Sequence, residues 1–245
     1  IGRVIAERFA HEGANTVAND LLPEQLEDTV LACRAAGSDA VAVEADIVEP
    51  STSERLVAIA IERFGRLDVV VNNAFWARTS DFLDQSAEEW ARILDVSLNG
   101  AVLLSRAALP LLTRQGSGAI VNVASIHSLG AGRRYAAYEV AKTGLVGLTR
   151  AGAAEFGRDG VRCNAVCPGL VITERNAGWW SDERVEWVSN AYPLGRVGTA
   201  AEVAAAVAFL ASNEAAFITG VCLPVDGGLT AILPEVPALR LYDAR

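Results

Sequence analysis

The chain reads as a single α/β domain in which a parallel sheet is covered on both faces by helices. Three observations predict this. Short apolar runs of strand length alternate with stretches of helical periodicity from end to end. The runs are near-continuous Val, Ala and Ile, as strands buried on both faces require. Polar or turn residues gather where the runs stop. A chain of 245 residues with 51% hydrophobic content buries a core large enough for such a domain, and no linker divides it.

Taken in order, Ile1, Val4, Ile5 and Phe9 recur at helical spacing up to Gly13, so the chain opens inside a helix. ANTVAND, ending at Asp20, reads as a strand, 23–36 as a helix, and AVAVEADI (40–47) as a buried strand. A helix over about 51–64, a strand over 67–74, helices over 86–115 and a strand over 118–125 follow. The pattern continues with a helix from about 136 to 157, a strand over 161–169, a polar and aromatic insertion, a helix at 200–212 and a strand over 221–228. The tail, 229–245, holds Pro234 and Pro237 and is expected to run extended over a surface, within reach of a neighbouring subunit.

Composition excludes several function classes. A net charge of −9 argues against a nucleic-acid binder, which needs a basic face. Cys33, Cys163, Cys167 and Cys222 sit among apolar neighbours; Cys163 and Cys167 have no histidine or further cysteine close by. They read as reduced core residues of a cytosolic protein, with no metal site expected. No apolar run reaches the roughly 20 residues that cross a bilayer, so no membrane partner is expected.

The stretch Ser125–Lys142 carries the chemistry. Lys142 is the only lysine beside twenty arginines, which points to work that a planar guanidinium does not do. Tyr138 lies four residues before it, one helical turn away on the same face. An ammonium beside a phenol stabilises phenolate and is expected to pull the tyrosine down from about 10. Tyr138 is then a general base toward a substrate hydroxyl, with Ser125 hydrogen-bonding the substrate oxygen. Tyr135, with Glu139 four residues on, is the poorer base, and Ser128 lies further past the strand end than Ser125. His127 is either a substrate contact or a loop residue.

In an open parallel sheet, ligands lie beyond the carboxyl ends of the strands. Those ends carry Asp20, Asp46, Asn72-Asn73-Ala74, Ser125 and Pro168-Gly169. Asp20 stands eighteen residues beyond Gly2, near the roughly 20-residue offset of the acid that takes ribose hydroxyls. A carboxylate there repels a 2′-phosphate and favours NAD over NADP; the competing reading is a helix cap.

Gly2 with its helix, Asp20, Asp46-Ile47, Asn72-Asn73-Ala74, Ser125, Tyr138-x-x-x-Lys142, Pro168-Gly169 and Asp226-Gly227-Gly228 together resemble the short-chain dehydrogenase/reductase family over about residues 1–230. The resemblance implies a Rossmann-type doubly wound parallel sheet of order 3-2-1-4-5-6-7, in a domain of 1–228 with a substrate loop at about 174–195. It implies an NAD(P)(H) cofactor held by Gly2, Asp20, Asp46, Ile47, Asn73, Ala74, Tyr138, Lys142, Pro168, Gly169, Val171 and Thr173. Lys142 would hold the nicotinamide ribose. Ser97 stands where the family usually has a catalytic asparagine, and Phe75-Trp76 where glycine commonly follows Asn-Asn-Ala. The family's first strand and most of its glycine-rich turn would precede Ile1, and roughly 10–20 further residues are expected in the natural chain. A cytoplasmic homotetramer acting on a small molecule is implied.

Trp76, Trp179 and Trp180 are candidate substrate contacts, in company with Trp187 and Tyr192; packing of the loop against its own domain or a neighbour is the alternative. Arg133-Arg134 either meets an anionic group or is solvated. Three functions remain in view: an NAD-dependent alcohol or sugar dehydrogenase, an NADP-dependent ketoreductase of the 3-oxoacyl-carrier-protein type, and a non-catalytic nucleotide-binding or assembly protein.

Overall fold

The computed structural model describes residues 1–232; the expectation for the tail falls largely outside them. The elements follow the predicted alternation: α1 (Gly2–His11), β1 (Thr16–Asp20), α2 (Pro23–Ala35), β2 (Ala40–Glu44), α3 (Pro50–Phe64) and β3 (Val69–Asn72). Then come α4 (Ala87–Leu94), α5 (Gly100–Gln115), β4 (Gly118–Val123), α6 (Ala136–Phe156), β5 (Val161–Pro168), α7 (Asp182–Ser189), α8 (Ala200–Ala211) and β6 (Cys222–Val225).

All described strand pairs are parallel, in two pieces of order β1-β2 and β3-β4-β5-β6. Those pieces are 2-3 and 4-5-6-7 of the expected order. Among the described residues β1 and β3 are not paired with each other.

Local chemistry explains the boundaries. Pro50 opens α3 where its missing N–H costs nothing, and Gly65 closes it at φ 75°, a left-handed position that glycine takes freely. Thr199 and Glu202 form a reciprocal capping box at the start of α8. Strand alternation then sends Val121 and Val123 to one face, against Ile5, Val203, Val207 and Leu210 of α1 and α8. Ile120 goes to the other, with Val70, Ala108, Leu112 and Val161 under α5. Each such fully buried side chain contributes about 1.5–3 kcal/mol.

One polar feature interrupts this core. Asn72 Nδ2 donates to Asn122 Oδ1 at 2.7 Å and to Ser105 Oγ at 3.1 Å, and Asn122 Nδ2 donates to Thr149 Oγ1 at 2.8 Å. This buried ladder ties β3, β4, α5 and α6 together, and it uses Asn72 in packing rather than at the ligand edge.

Between α4 and α5, Asp95–Asn99 forms a π turn, and Gly100 N–H bonds to Asp95 O five residues back. The resulting helical run, Ala87–Gln115, is long and apolar enough by composition to cross a membrane. Here it packs against α3, α6, β3 and β4.

Candidate functional site

The site is assembled where β4 ends and α6 begins. Past Val123 the chain stays extended through Ser125 (φ −168°, ψ 161°), which opens a single 3-10 turn, Ile126–Ser128. Ser125 is 7% exposed; its Oγ accepts from His127 N–H at 3.2 Å, and the side chain acts on the Tyr138 phenol, favouring its ionised form. Ser128 does not share that role: its Oγ is buried without a partner among the described residues.

Tyr138 and Lys142 lie one turn apart on α6, as the spacing predicts. Lys142 is 2% exposed, and its Nζ donates to Val123 O at 2.7 Å. Burial pulls the ammonium down to about 8, with the Cys167 thiol acting weakly the other way. Among the chain's own groups the expected lowering of Tyr138 does not appear. Burial pushes the phenol up, and the hydrogen bond from Ser125 offsets this in part. The physical reason is geometric: the ammonium stands 5.7 Å from the Tyr138 ring centroid and is committed to a main-chain carbonyl.

Ser97 is buried in the π turn, but its side chain serves the loop after β3. Its Oγ accepts from Trp76 N–H at 3.1 Å and donates to Trp76 O at 3.0 Å. Asn99, two residues on, is exposed and donates to Asp95 at 2.8 Å, so it makes no contact with the Ser125–Tyr138 pair. Gly100 has no room for a Cβ, which would lie 2.9 Å from Ile47 Cγ2. The π turn is thereby held against the residue after Asp46.

The expected cofactor residues share the carboxyl edge of the sheet. A Cβ on Gly2 would lie 2.6 Å from Asn73 Nδ2, so the start of α1 meets the side chain that follows β3, and a larger residue there would displace the Asn73 amide. Asp20 is exposed at the end of β1, and its Oδ1 accepts from Leu21 and Leu22 N–H at 2.7 and 3.2 Å; it caps the turn into α2. Asp46 accepts from Val48 N–H at 3.2 Å and from Arg92 at 2.8 Å. Ile47 is buried among Val43, Leu56 and Val96, and Ala74 is exposed. Past β5, Gly169 lies against the Tyr192 ring, and Leu170 N–H donates to Tyr192 Oη at 2.8 Å. Asn176 takes Thr173 N–H at 2.7 Å and donates to Val171 O at 3.0 Å. A carboxylate at one strand end, a glycine without side-chain space at a helix N-terminus and a buried ammonium on one edge suit a dinucleotide.

The aromatic expectations divide. Tyr192 is 2% exposed and pins the turn after Pro168. Trp76 packs against two core clusters, one around Val43 and one around Ile93 against which Tyr138 also packs. Trp179 and Trp187 stand 72% and 73% exposed, and Trp180 is half-buried. The aromatic residue that does reach the site is Phe75. Its ring lies edge-on to Tyr138 at 6.3 Å, 5.7 Å from Lys142 Nζ, with the Arg175 guanidinium 4.8 Å from its centroid. Of the arginine pair, Arg134 adopts φ 72°, and its carbonyl accepts from Ser80 N–H at 3.2 Å.

Sequence reasoning gave Arg175 no role and paired Glu139 with Tyr135 alone. Glu139 Oε1 accepts from Gly132 N–H at 2.5 Å and meets His127 Nδ1 at 3.0 Å. Only the path of the loop before α6 brings these together, so no local signal marks them. All four cysteines are free; burial pushes Cys163 and Cys167 up to about 12 and about 11.

The family model described as Enoyl-(Acyl carrier protein) reductase matches residues 1–230. Among characterised proteins, the meso-2,3-butanediol dehydrogenase of Serratia marcescens is 42% identical over 231 residues, covering 94% of this chain and 90% of that one. The L-rhamnose 1-dehydrogenase (NAD(P)(+)) of Sphingomonas sp. is 38% identical over 232 residues, covering 94% and 91%. The crystal structure of a putative short-chain dehydrogenase/reductase from Burkholderia xenovorans superposes with a TM-score of 0.88 at 35% identity, covering 95% of this chain and 90% of that one.

Proposed function

Since the chain belongs to the short-chain dehydrogenase/reductase family and is an NAD(P)-dependent oxidoreductase acting on CH–OH groups, we propose that it is an NAD-preferring dehydrogenase of secondary alcohols or sugars. The observation that carries this reading is buried Lys142 one helical turn from Tyr138, with its ammonium 5.7 Å from the Tyr138 ring and fixed on the strand that ends at Ser125.

A bound nicotinamide supplies the acceptor for the hydride that leaves the carbinol carbon. The chain's own residues handle the proton and the oxygen. Ser125 Oγ donates to the substrate oxygen and holds it within reach of Tyr138 Oη. The phenol takes the hydroxyl proton as the C–O bond becomes a carbonyl, and returns it in the reductive direction. Lys142, fixed on Val123 O, keeps a positive charge beside the ring face, where it is placed to hold the nicotinamide ribose.

Asp20 supports NAD, since its exposed carboxylate repels a 2′-phosphate at the end of β1. The residues proposed for the cofactor are Gly2, Asp20, Asp46, Ile47, Asn73, Ala74, Pro168, Gly169, Val171 and Thr173 with Tyr138 and Lys142. Buried, reduced cysteines support a cytoplasmic setting. An apolar groove between α5 and α6, lined by Val102, Leu109, Leu148 and Phe156, supports a homotetramer built on those helices.

A substrate panel read by nicotinamide absorbance, wild type against Tyr138→Phe, tests the chemistry. Loss of turnover in the variant supports it, and equal turnover removes Tyr138 from catalysis. Light scattering that gave a monomer at micromolar concentration would contradict the assembly.

A further inference from the structure

The imidazole of His127 is held in one orientation and one tautomer immediately beside the proton-transfer pair. Its backbone N–H donates to Ser125 Oγ. Its ring packs edge-on against Tyr138, centroids 5.7 Å apart at 76°, and against Tyr135 at 4.7 Å. Nδ1 lies 3.0 Å from Glu139 Oε1, an oxygen also fixed by Gly132 N–H. A carboxylate only accepts, so Nδ1 carries the proton, and in the neutral ring Nε2 is left as an acceptor.

Nε2 has no hydrogen-bond partner among the described residues, and it is not one of their buried unpaired atoms, which are Ser53 Oγ and Ser128 Oγ. The side chain is 25% exposed. An oriented acceptor, open to a ligand and carried on a ring whose centroid lies 5.7 Å from that of Tyr138, has no hydrogen bond to make in holding the fold. The charged neighbour that faces it, Glu139, already uses its oxygen on Nδ1.

We propose that His127 Nε2 accepts a hydrogen bond from a second substrate hydroxyl, on the carbon next to the one oxidised, so that the site selects vicinal diols and sugars over isolated secondary alcohols. The proposal rests on the dehydrogenase reading above and names its substrate class. Glu139 is the positioning residue: by taking Nδ1–H it keeps Nε2 an acceptor. A substrate lacking the second hydroxyl leaves Nε2 unpaired in the complex and loses that hydrogen bond.

The test compares butane-2,3-diol with butan-2-ol, which differ by that hydroxyl, as a ratio of kcat/KM with NAD. Wild type is expected to favour the diol by about tenfold or more. His127→Phe keeps the ring packing and removes the acceptor; it should bring the ratio down about tenfold, chiefly through KM. Glu139→Ala removes the acceptor that takes Nδ1–H and so releases the tautomer, and should lower the ratio severalfold while circular dichroism stays that of wild type. His127→Gln, which restores an acceptor, should recover part of the ratio.

A wild-type ratio near one, or a ratio retained in His127→Phe, overturns the proposal. Wild type that oxidises neither alcohol with NAD or NADP, and does not reduce butan-2-one, overturns the dehydrogenase reading and this proposal with it.

Discussion

Lys142 Nζ reaches back across the start of α6 to donate to Val123 O at 2.7 Å, so the chain's one lysine is bound to the end of the strand that delivers Ser125. This bond fixes where the ammonium stands relative to Tyr138, and it does so inside the protein, at 2% exposure. Function and stability therefore pull in opposite directions at this residue.

Replacing Lys142 with methionine should abolish turnover and raise the melting temperature at pH 7 by a few degrees. The folded-state value, about 8, lies below the ordinary lysine value of 10.5, so between those pH values the unfolded chain binds more protons. Wild-type stability should therefore gain from this group as pH rises from about 8 to 10.5, and Lys142→Met should lack that gain. Urea melts at stepped pH check both; a lower melting temperature in the variant counts against them.

Phe75 covers the ammonium proposed to hold the cofactor ribose, with Lys142 and Arg175 both against its ring. Such contacts are worth about 0.5–1 kcal/mol each at exposed sites. Phe75→Gly should free Lys142 and lower the KM for cofactor about threefold in initial-rate kinetics. A raised KM would show instead that the ring is itself a cofactor contact.

Ser97→Ala removes both side-chain hydrogen bonds to Trp76 and leaves its N–H and C=O without these partners. The cost should be about 1–3 kcal/mol, read as a lower denaturation midpoint with unchanged m-value. Activity should fall in step with loss of the Phe75–Trp76 loop geometry. An unchanged midpoint would mean that water replaces the hydroxyl.

Asp20→Ser should raise the NADPH/NADH ratio of kcat/KM by about tenfold, because the only charge proposed to meet a 2′-phosphate is removed. Its two main-chain hydrogen bonds remain within reach of a serine hydroxyl. Wild type that binds NADPH more tightly than NADH would overturn the use made of this residue.

The order of elements was legible because strand and helix periods differ, and because strands such as 118–123 are buried on both faces. Ser125, Tyr138 and Lys142 were legible through spacing, since one helical turn and one strand end suffice to bring them together. What spacing does not carry is direction. It placed Lys142 beside Tyr138 but not on Val123 O, and so predicted a lowering of the phenol that the chain's own groups do not give. It grouped Tyr192 with the loop aromatics, whereas its phenol is used to pin the turn after Pro168. Glu139, Arg175 and the Asn72–Asn122–Thr149 ladder depend on pairings across many residues that no local pattern encodes.

That ladder also acts as a check on strand alignment. Asn72 and Asn122 sit opposite each other in the β3–β4 register, on the face of β4 that looks toward Thr149. Shifting β4 by one residue would turn Asn122 toward the valines packed under α8 and offer Asn72 a hydrocarbon neighbour. Two carboxamides and a hydroxyl would then be stranded in apolar surroundings, at about 1–3 kcal/mol for each group left unpaired. Valine-rich parallel strands are otherwise interchangeable in their pairing. These three side chains penalise a misaligned sheet, and the alignment they select is the one that brings Ser125 to Tyr138.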